Sequence, residues 1–374
     1  MTGGDADQGF MQQALALAQQ AIGLSEPNPR VGCVIVAADG SRVLGQGHTQ
    51  PAGEAHAEVM ALRDAAAQGN AVQGATVYVT LEPCSHQGRT GPCCDALVAA
   101  GVGRVVAAAV DPNPLVRGQG LARLRAGGVD VQVGLGEHET RALNVGFFHR
   151  MEHGLPWVRL KAAMSLDGAT ALDNGASQWI TSPEARADGH AWRARAGAIL
   201  TGIGTVLDDD PRLDVRLAPV VRQPPLVVVD SRLQTPPAAA LFTGNRPTWI
   251  AVAGQDAGRE AALRARGADV LHLPGDGGKV DLAALLRDLA ARHVNELHVE
   301  AGHKLNGSLL RAGLVDELLV YMAPRLLGAG RPLAALGPLA DLAQALPLAF
   351  ESVRQVGPDL RVLARVQRPG RAPS

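Results

Sequence analysis

Ala75-Thr-Val-Tyr-Val-Thr-Leu-Glu-Pro-Cys-Ser-His-Gln-Gly-Arg-Thr-Gly-Pro-Cys-Cys-Asp-Ala-Leu97 carries three structural signals in one stretch. Residues 75–81 form a short, β-branched apolar run, which reads as a buried strand. Pro83 and Cys84 then open a polar loop that closes at Pro92, and the pattern predicts a helix from Cys93 to about Ala100. A helix start suits a thiolate at Cys93, because the macrodipole favours negative charge there. Upstream, Ala55 to Gln68 predicts another helix, whose first turn holds His56 and Glu58. One imidazole and two thiolates, from His56, Cys84 and Cys93, make a donor set that zinc accepts while keeping a fourth position for water. The metal brings the pKa of that water down to about 7. Glu58, two residues after His56, is placed to carry a proton from the water to a departing amine. Zinc deaminases combine H-x-E with P-C-x-x-C, whereas here eight residues separate Cys84 from Cys93. Cys33 and Cys94 lie in apolar elements and read as small buried thiols.

Outward from this stretch the first half alternates helix and strand. Phe10, Ala14, Leu17, Ala18, Ala21 and Ile22 share one helical face. Residues 31–37 read as a buried strand ending at the Asp39-Gly40 turn, and residues 102–110 and 129–133 as two more. This order predicts a layered α/β domain with helices on the faces of its sheet. The pattern loosens between Thr140 and Pro156, and the boundary is placed there, giving domains 1–150 and 151–374. The second half predicts strands at 157–164, 198–201, 226–229, 248–252, 270–273, 296–299 and 317–323, with helices near 183–196, 282–292 and 305–312. That is a second α/β domain.

Bulk composition excludes several classes. Apolar residues at 47% and charged residues at 19% suit packed cores and argue against general disorder. A formal net charge of −1 leaves no electrostatic footprint for nucleic acid or an anionic membrane. The N-terminus has no basic, apolar signal pattern, and no apolar run reaches the roughly 18–20 residues of a membrane span. A cytoplasmic location is therefore expected, where clustered cysteines point to metal or catalysis before disulfides.

Residues 83–97, together with Pro27-Asn-Pro-Arg-Val-Gly-Cys-Val34, resemble the deaminase domain of the bifunctional riboflavin-biosynthesis deaminase/reductase family. The resemblance implies a cytidine-deaminase-like three-layer α/β/α domain, with Asn28, His86 and Arg89 contacting substrate. The family's phosphate-site histidine falls at Thr49, and either Thr49 or the adjacent His48 could fill its role.

The second half resembles the reductase domain of the same family, with a dihydrofolate-reductase-like α/β fold. The landmarks are Lys161-Ala-Ala-Met-Ser-Leu-Asp-Gly168, Ser177-Gln-Trp-Ile-Thr181, Gly202-Ile-Gly-Thr-Val-Leu-Asp-Asp-Asp-Pro-Arg-Leu213 and Glu300-Ala-Gly-His-Lys-Leu-Asn-Gly307, and the likeness weakens beyond residue 330. By resemblance, NADPH is contacted by Ala163, Trp179, Thr205, Asp209, Ser231 and a loop of Gly302, His303, Lys304, Leu305, Asn306, Gly307 and Ser308. Ser177, Arg193, Leu213, Arg216 and Glu300 would face the sugar phosphate, a role that suits the planar fork of arginine. Ser231 and Arg232 would favour the extra phosphate of NADPH, and Asp209 and Glu300 are candidate proton donors. The resemblance further implies Zn2+ and NADPH as cofactors and a pyrimidine ribotide as substrate, deaminated and then reduced on its ribose. The alternative is a nucleoside- or tRNA-type zinc deaminase with an accessory nucleotide-binding domain. Oligomeric state stays open, a homo-oligomer included.

Overall fold

The computed structural model describes residues 3–86 and 91–368. Two compact units meet in sequence at Gly154 and Leu155. In the first, α1 (Gly3–Gln19), β1 (Gly32–Val36), β2 (Val43–His48), α2 (Ala57–Ala67) and β3 (Thr76–Val79) lead into α3 (Cys93–Ala99). β4 (Arg104–Ala107), α4 (Gln119–Ala126), β5 (Asp130–Val133), α5 (Glu137–Leu143) and α6 (Val145–His153) follow. The sheet order is β2-β1-β3-β4-β5, with β1 antiparallel to both neighbours and β3, β4 and β5 parallel. Alternation along β1 supplies two cores. Cys33 and Ile35 join Ala57, Ala61, Cys94 and Leu97 on the α2/α3 face, while Val34 and Val36 join Met11, Ala14 and Leu15 of α1 on the other.

β2 had no clear sequence signal, because two glycines interrupt it and glycine is depleted in strands. The fold explains them. A Cβ on Gly45 would lie 2.3 Å from the Ala61 carbonyl oxygen, and one on Gly47 would lie 2.5 Å from Met60 Cβ. Bare backbone lets α2 settle onto β2, and so places His56 and Glu58 at the sheet.

The loosened pattern at 140–156 is corrected by the structure to two short helices, α5 and α6. Asn144 between them is spent on a distant segment: its Oδ1 accepts from the Arg30 N–H at 2.7 Å and its Nδ2 donates to the Arg30 carbonyl at 2.9 Å. Helices of seven and nine residues are too short for periodicity to reveal.

The second unit comprises β6 (Trp157–Ser165), β7 (Ala169–Leu172), α7 (Pro183–Arg195), β8 (Ala198–Gly202), α8 (Ile203–Asp209), β9 (Leu226–Val229) and β10 (Thr248–Val252). It continues with α9 (Ala257–Arg264), β11 (Ala268–His272), α10 (Leu282–Ala291), β12 (Glu296–Val299), α11 (His303–Arg311), β13 (Glu317–Ala323), β14 (Gly330–Pro332), β15 (Leu348–Val356) and β16 (Asp359–Val366). The nine-stranded order is β11-β10-β9-β8-β12-β6-β13-β16-β15, parallel as far as β13 and antiparallel through the last hairpin. Separately, β14 pairs with β7. Buried Arg159 on β6 is held by Glu296 at 2.7 Å and by Glu317, so its charge is compensated inside the sheet. The β15/β16 hairpin gave no sequence signal because β15 is largely exposed on both faces. Among the described residues, no helix is long and apolar enough to cross a membrane.

Candidate active sites

In the first unit, three side chains that are far apart in sequence converge. His56 caps the start of α2, Cys84 lies in the loop after β3, and Cys93 is the first residue of α3. His56 Nδ1 lies 3.5 Å from Cys84 Sγ and 3.4 Å from Cys93 Sγ, and all three donor atoms fall within 4.8 Å of one another. Tetrahedral zinc, with bonds of about 2.0 Å to nitrogen and 2.3 Å to sulfur, demands a nitrogen–sulfur separation of roughly 3.5 Å. The residues fit the metal. The hydrogen bond from the Cys93 thiol, then that from His56, and then the Cys93 N–H, which donates to Cys84 Sγ at 3.3 Å, draw the Cys84 thiol down to about 4 against the effect of burial. The hydrogen bond between the thiols and burial push Cys93 up, and a bound dication would hold both as thiolates.

Glu58 is 3% exposed in the first turn of α2. Burial first, and then the Cys84 charge, raise its carboxyl to about 7, while His56 works in the opposite direction. It is not one of the three converging donors. Cys33 and Cys94 are fully buried in the core, as their apolar surroundings implied.

Sequence reading missed Glu82, two residues before Cys84. Its buried carboxylate accepts N–H groups from Asp111 (3.1 Å), Gly118 (2.9 Å), Gly120 (2.8 Å) and Leu121 (3.4 Å). It thereby ties the Cys84 loop to the start of α4. Each buried donor left unmet costs about 1–3 kcal/mol. Glu82→Ala should therefore destabilise the first unit by about 3 kcal/mol or more and lower its zinc occupancy, measured by thermal unfolding and metal analysis. An unchanged melt would show that the loop holds itself.

Other nominations fare unevenly. Thr49 is 3% exposed, and its hydroxyl spends its proton and one of its two lone pairs on the Val31 backbone, at 3.4 and 3.2 Å. Of the two options, the half-buried ring of His48 is the more accessible. Asn28 is half-buried in the turn before β1, and His86 is exposed. Arg89 lies outside the described residues.

The second unit opens a cleft of about 1470 Å³. In open parallel sheets the ligand crevice lies at the carboxyl ends of the strands, and here residues just beyond β8, β9 and β12 line it. The nominated Ala163, Ser177, Trp179, Arg193, Thr205, Asp209, Leu213, Arg216, Ser231, Glu300, Gly302–Leu305, Asn306 and Ser308 all border it. Gly307 does not: a Cβ there would lie 2.3 Å from the Ala335 carbonyl oxygen, so this glycine serves packing. Arg232 is exposed but does not line the cleft.

The segment read as a 302–308 loop is corrected to the start of α11, which begins at His303. Its N-cap, Gly302, makes no side-chain cap bond, so first-turn N–H groups are left for an anion. With Lys304 in the same turn, the segment fits a cofactor phosphate. Gly202-Ile-Gly204 is likewise the junction of β8 with α8.

Arg193 is not a free phosphate fork. Its Nε and its Nη2 (2.9 Å) donate to the Glu300 carboxylate, and its Nη1 donates to the Asp214 carbonyl at 3.0 Å. Lys161, missed as a site residue, reaches Glu300 Oε2 at 3.5 Å and also lines the cleft. Burial works to raise the Glu300 carboxyl, but the Arg193 and Lys161 charges win and hold it well below the usual carboxylate range. With two cations on its carboxylate, Glu300 favours the ionised form, which suits a positioning role over proton donation. Asp209 moves the other way, raised by burial and by Asp208.

A three-layer unit with an open zinc triad and a second, dihydrofolate-reductase-like unit with a dinucleotide-sized cleft define a metal-dependent deaminase joined to a nicotinamide-dependent reductase. The profile described as the cytidine and deoxycytidylate deaminase zinc-binding region matches residues 5–109, and that of the RibD C-terminal domain matches residues 156–362. The chain is 48% identical to the riboflavin biosynthesis protein RibD of Escherichia coli K12, over 95% of this chain and 98% of that one. It is 38% identical to that of Aquifex aeolicus, over 95% and 97%. Among solved structures, Acinetobacter baumannii RibD matches with a TM-score of 0.88 at 39% identity, covering 97% of this chain and 99% of that one. A Thermotoga maritima diaminohydroxyphosphoribosylaminopyrimidine deaminase/5-amino-6-(5-phosphoribosylamino)uracil reductase matches at 0.86 and 31%, with the same coverage. The chain belongs to the RibD family of riboflavin-biosynthesis proteins. It is a bifunctional enzyme, a zinc-dependent deaminase and an NADPH-dependent reductase acting in succession. The likeness to the C-terminal profile runs on to residue 362, past the expected fade at 330, and the match over nearly the whole length of a bifunctional relative favours the deaminase/reductase reading over the tRNA-type alternative.

Proposed function

We propose that the first unit deaminates 2,5-diamino-6-ribosylamino-4(3H)-pyrimidinone 5′-phosphate and that the second reduces the deaminated ribosyl chain to 5-amino-6-ribitylaminouracil 5′-phosphate. The observation that carries the first step is the triad at 3.4–3.5 Å spacing with Glu58 buried beside it. Bound zinc supplies hydroxide at neutral pH. His56, Cys84 and Cys93 hold the metal, while Glu58 accepts a proton from the incoming water and returns it to the amine. A carbon–oxygen bond forms, the exocyclic carbon–nitrogen bond breaks, and ammonia leaves. Asn28, His86, Arg89 and His48 are assigned to the substrate.

For the second step, bound NADPH supplies the hydride. Ala163, Trp179, Thr205, Asp209, Ser231 and the start of α11 from Gly302 to Asn306, with Ser308, are assigned to the cofactor. Ser177, Leu213 and Arg216 are assigned to the sugar phosphate. Arg193 acts through Glu300, fixing the carboxylate that positions Lys161 Nζ. Lys161 donates the proton to the atom that receives the electron pair when the ribosyl C1′ takes the hydride.

The buried free thiols accord with a reducing, cytoplasmic setting. A homo-oligomer would use β15, one of the two edge strands of its sheet, where Phe350 is 75% exposed. Light scattering tests that assembly. Incubating the protein with the ribotide, zinc and NADPH, followed by mass analysis, tests the function. Loss of one amine as oxygen, then gain of two hydrogens, is the expected sequence, and the diamino compound returned unchanged would refute it.

A further inference from the structure

Most cations lining the reductase cleft already have partners. Lys161 and Arg193 face Glu300, Arg216 faces Asp214 at 2.6 Å, and Arg331 faces Asp208 at 2.9 Å. Two lysines that line it have no ion-pair partner among the described residues. One is Lys304 in the first turn of α11. The other is Lys279, in the turn between β11 and α10. A dinucleotide carrying three phosphate groups needs cationic contacts at two places, the pyrophosphate and the adenosine 2′-phosphate.

The geometry separates these two lysines. Lys304 follows β12, whereas Lys279 is tied to the segment after β9: Ser231 Oγ accepts the N–H of Val280, the residue next to Lys279, at 3.2 Å. β9 and β12 are two places apart in the sheet, with β8 between them, which sets the two ends of the cleft roughly 10 Å apart. The Ser231 hydroxyl proton is uncommitted among the described residues, and Gln234 borders the same end. The acids nearest in sequence do not neutralise Lys279. Asp281 spends its carboxylate capping α10 through the Ala284 N–H at 2.9 Å, and Asp276 makes no ion pair among the described residues. Arg232, the cation that sequence position favoured, does not line the cleft, and its carbonyl receives Arg259 at 3.4 Å.

We propose that Lys279, with the Ser231 hydroxyl, binds the adenosine 2′-phosphate and so sets the preference for NADPH over NADH. The proposal rests on placing the dinucleotide in the strand-end cleft. A phosphomonoester dianion there meets one ammonium and one hydroxyl donor; NADH offers a ribose hydroxyl instead and gains nothing from the charge.

Calorimetric titration of the full chain with NADPH, NADH and adenosine 2′,5′-bisphosphate decides it. Lys279→Ala should weaken NADPH and the bisphosphate by roughly ten- to a hundred-fold and leave NADH unchanged. Lys279→Arg should keep most of the affinity, and Arg232→Ala should change nothing. Equal loss for NADPH and NADH in Lys279→Ala would make the lysine structural, and a loss confined to Arg232→Ala would move the contact there; either overturns the proposal. Thr205→Trp, filling the middle of the cleft, tests the placement separately. If that variant binds both dinucleotides normally, the cofactor lies elsewhere, and the Lys279 assignment falls with it.

Discussion

Glu58→Gln should abolish deamination while the protein keeps its zinc. The substitution preserves size in a site with 3% exposure, so no cavity forms and the α2–β2 packing that positions His56 is undisturbed. What changes is the chemistry. An amide cannot take up a proton from water, and it presents an N–H group where a lone pair was needed. A positioned general acid–base contributes about 10²–10⁴-fold in rate, so ammonia release should fall by that factor. Metal content should stay at one zinc per chain, because His56, Cys84 and Cys93 remain. Reduction of substrate already deaminated should stay near the wild-type rate, since the two units have separate cores. Loss of zinc would make Glu58 a ligand. Equal loss of both activities would mean the reactions share one site.

Lys161→Met should cripple the reductase and spare the deaminase. Its ammonium sits 3.5 Å from an ionised, buried Glu300 that Arg193 also holds, so removing the lysine still leaves that carboxylate paired. Folding should survive, with the melting temperature close to wild type. The expected loss is again about 10²–10⁴-fold in the reductive rate, with NADPH affinity measured by calorimetry unaltered. Lys161→Arg separates charge from proton transfer. A guanidinium keeps the positive charge but does not release its proton, so it should restore little. Full activity in that variant would reduce Lys161 to an electrostatic role, and more than a tenth of the wild-type rate in Lys161→Met would remove it from the reaction.

The deaminase centre was legible because each of its parts carries a local signal. His56 and Glu58 mark the start of one helix, Cys84 follows a strand, and Cys93 opens another helix, although only the fold brings the three donors together. Strands with apolar runs, such as β1 and residues 318–323 of β13, were equally plain, since burial on both faces favours apolar residues. β2 and the β15/β16 hairpin were not. The first substitutes glycine for bulk so that α2 can approach, and the hairpin leaves most of β15 in solvent, which erases alternation.

Sequence by itself determined the two α/β units, the zinc triad, its carboxylate and the order of the reductase landmarks. Tertiary structure alone decided which polar groups are still free to act. Thr49 hydrogen-bonds the Val31 backbone, and Arg193 and Lys161 share Glu300, while Lys279 lines the cleft with no ion-pair partner among the described residues. The physical reason is that residue type states what a side chain can donate or accept. Whether that capacity is already used depends on neighbours brought from a hundred or so residues away, as Glu300 is to Arg193 and Lys161, and no local pattern records them.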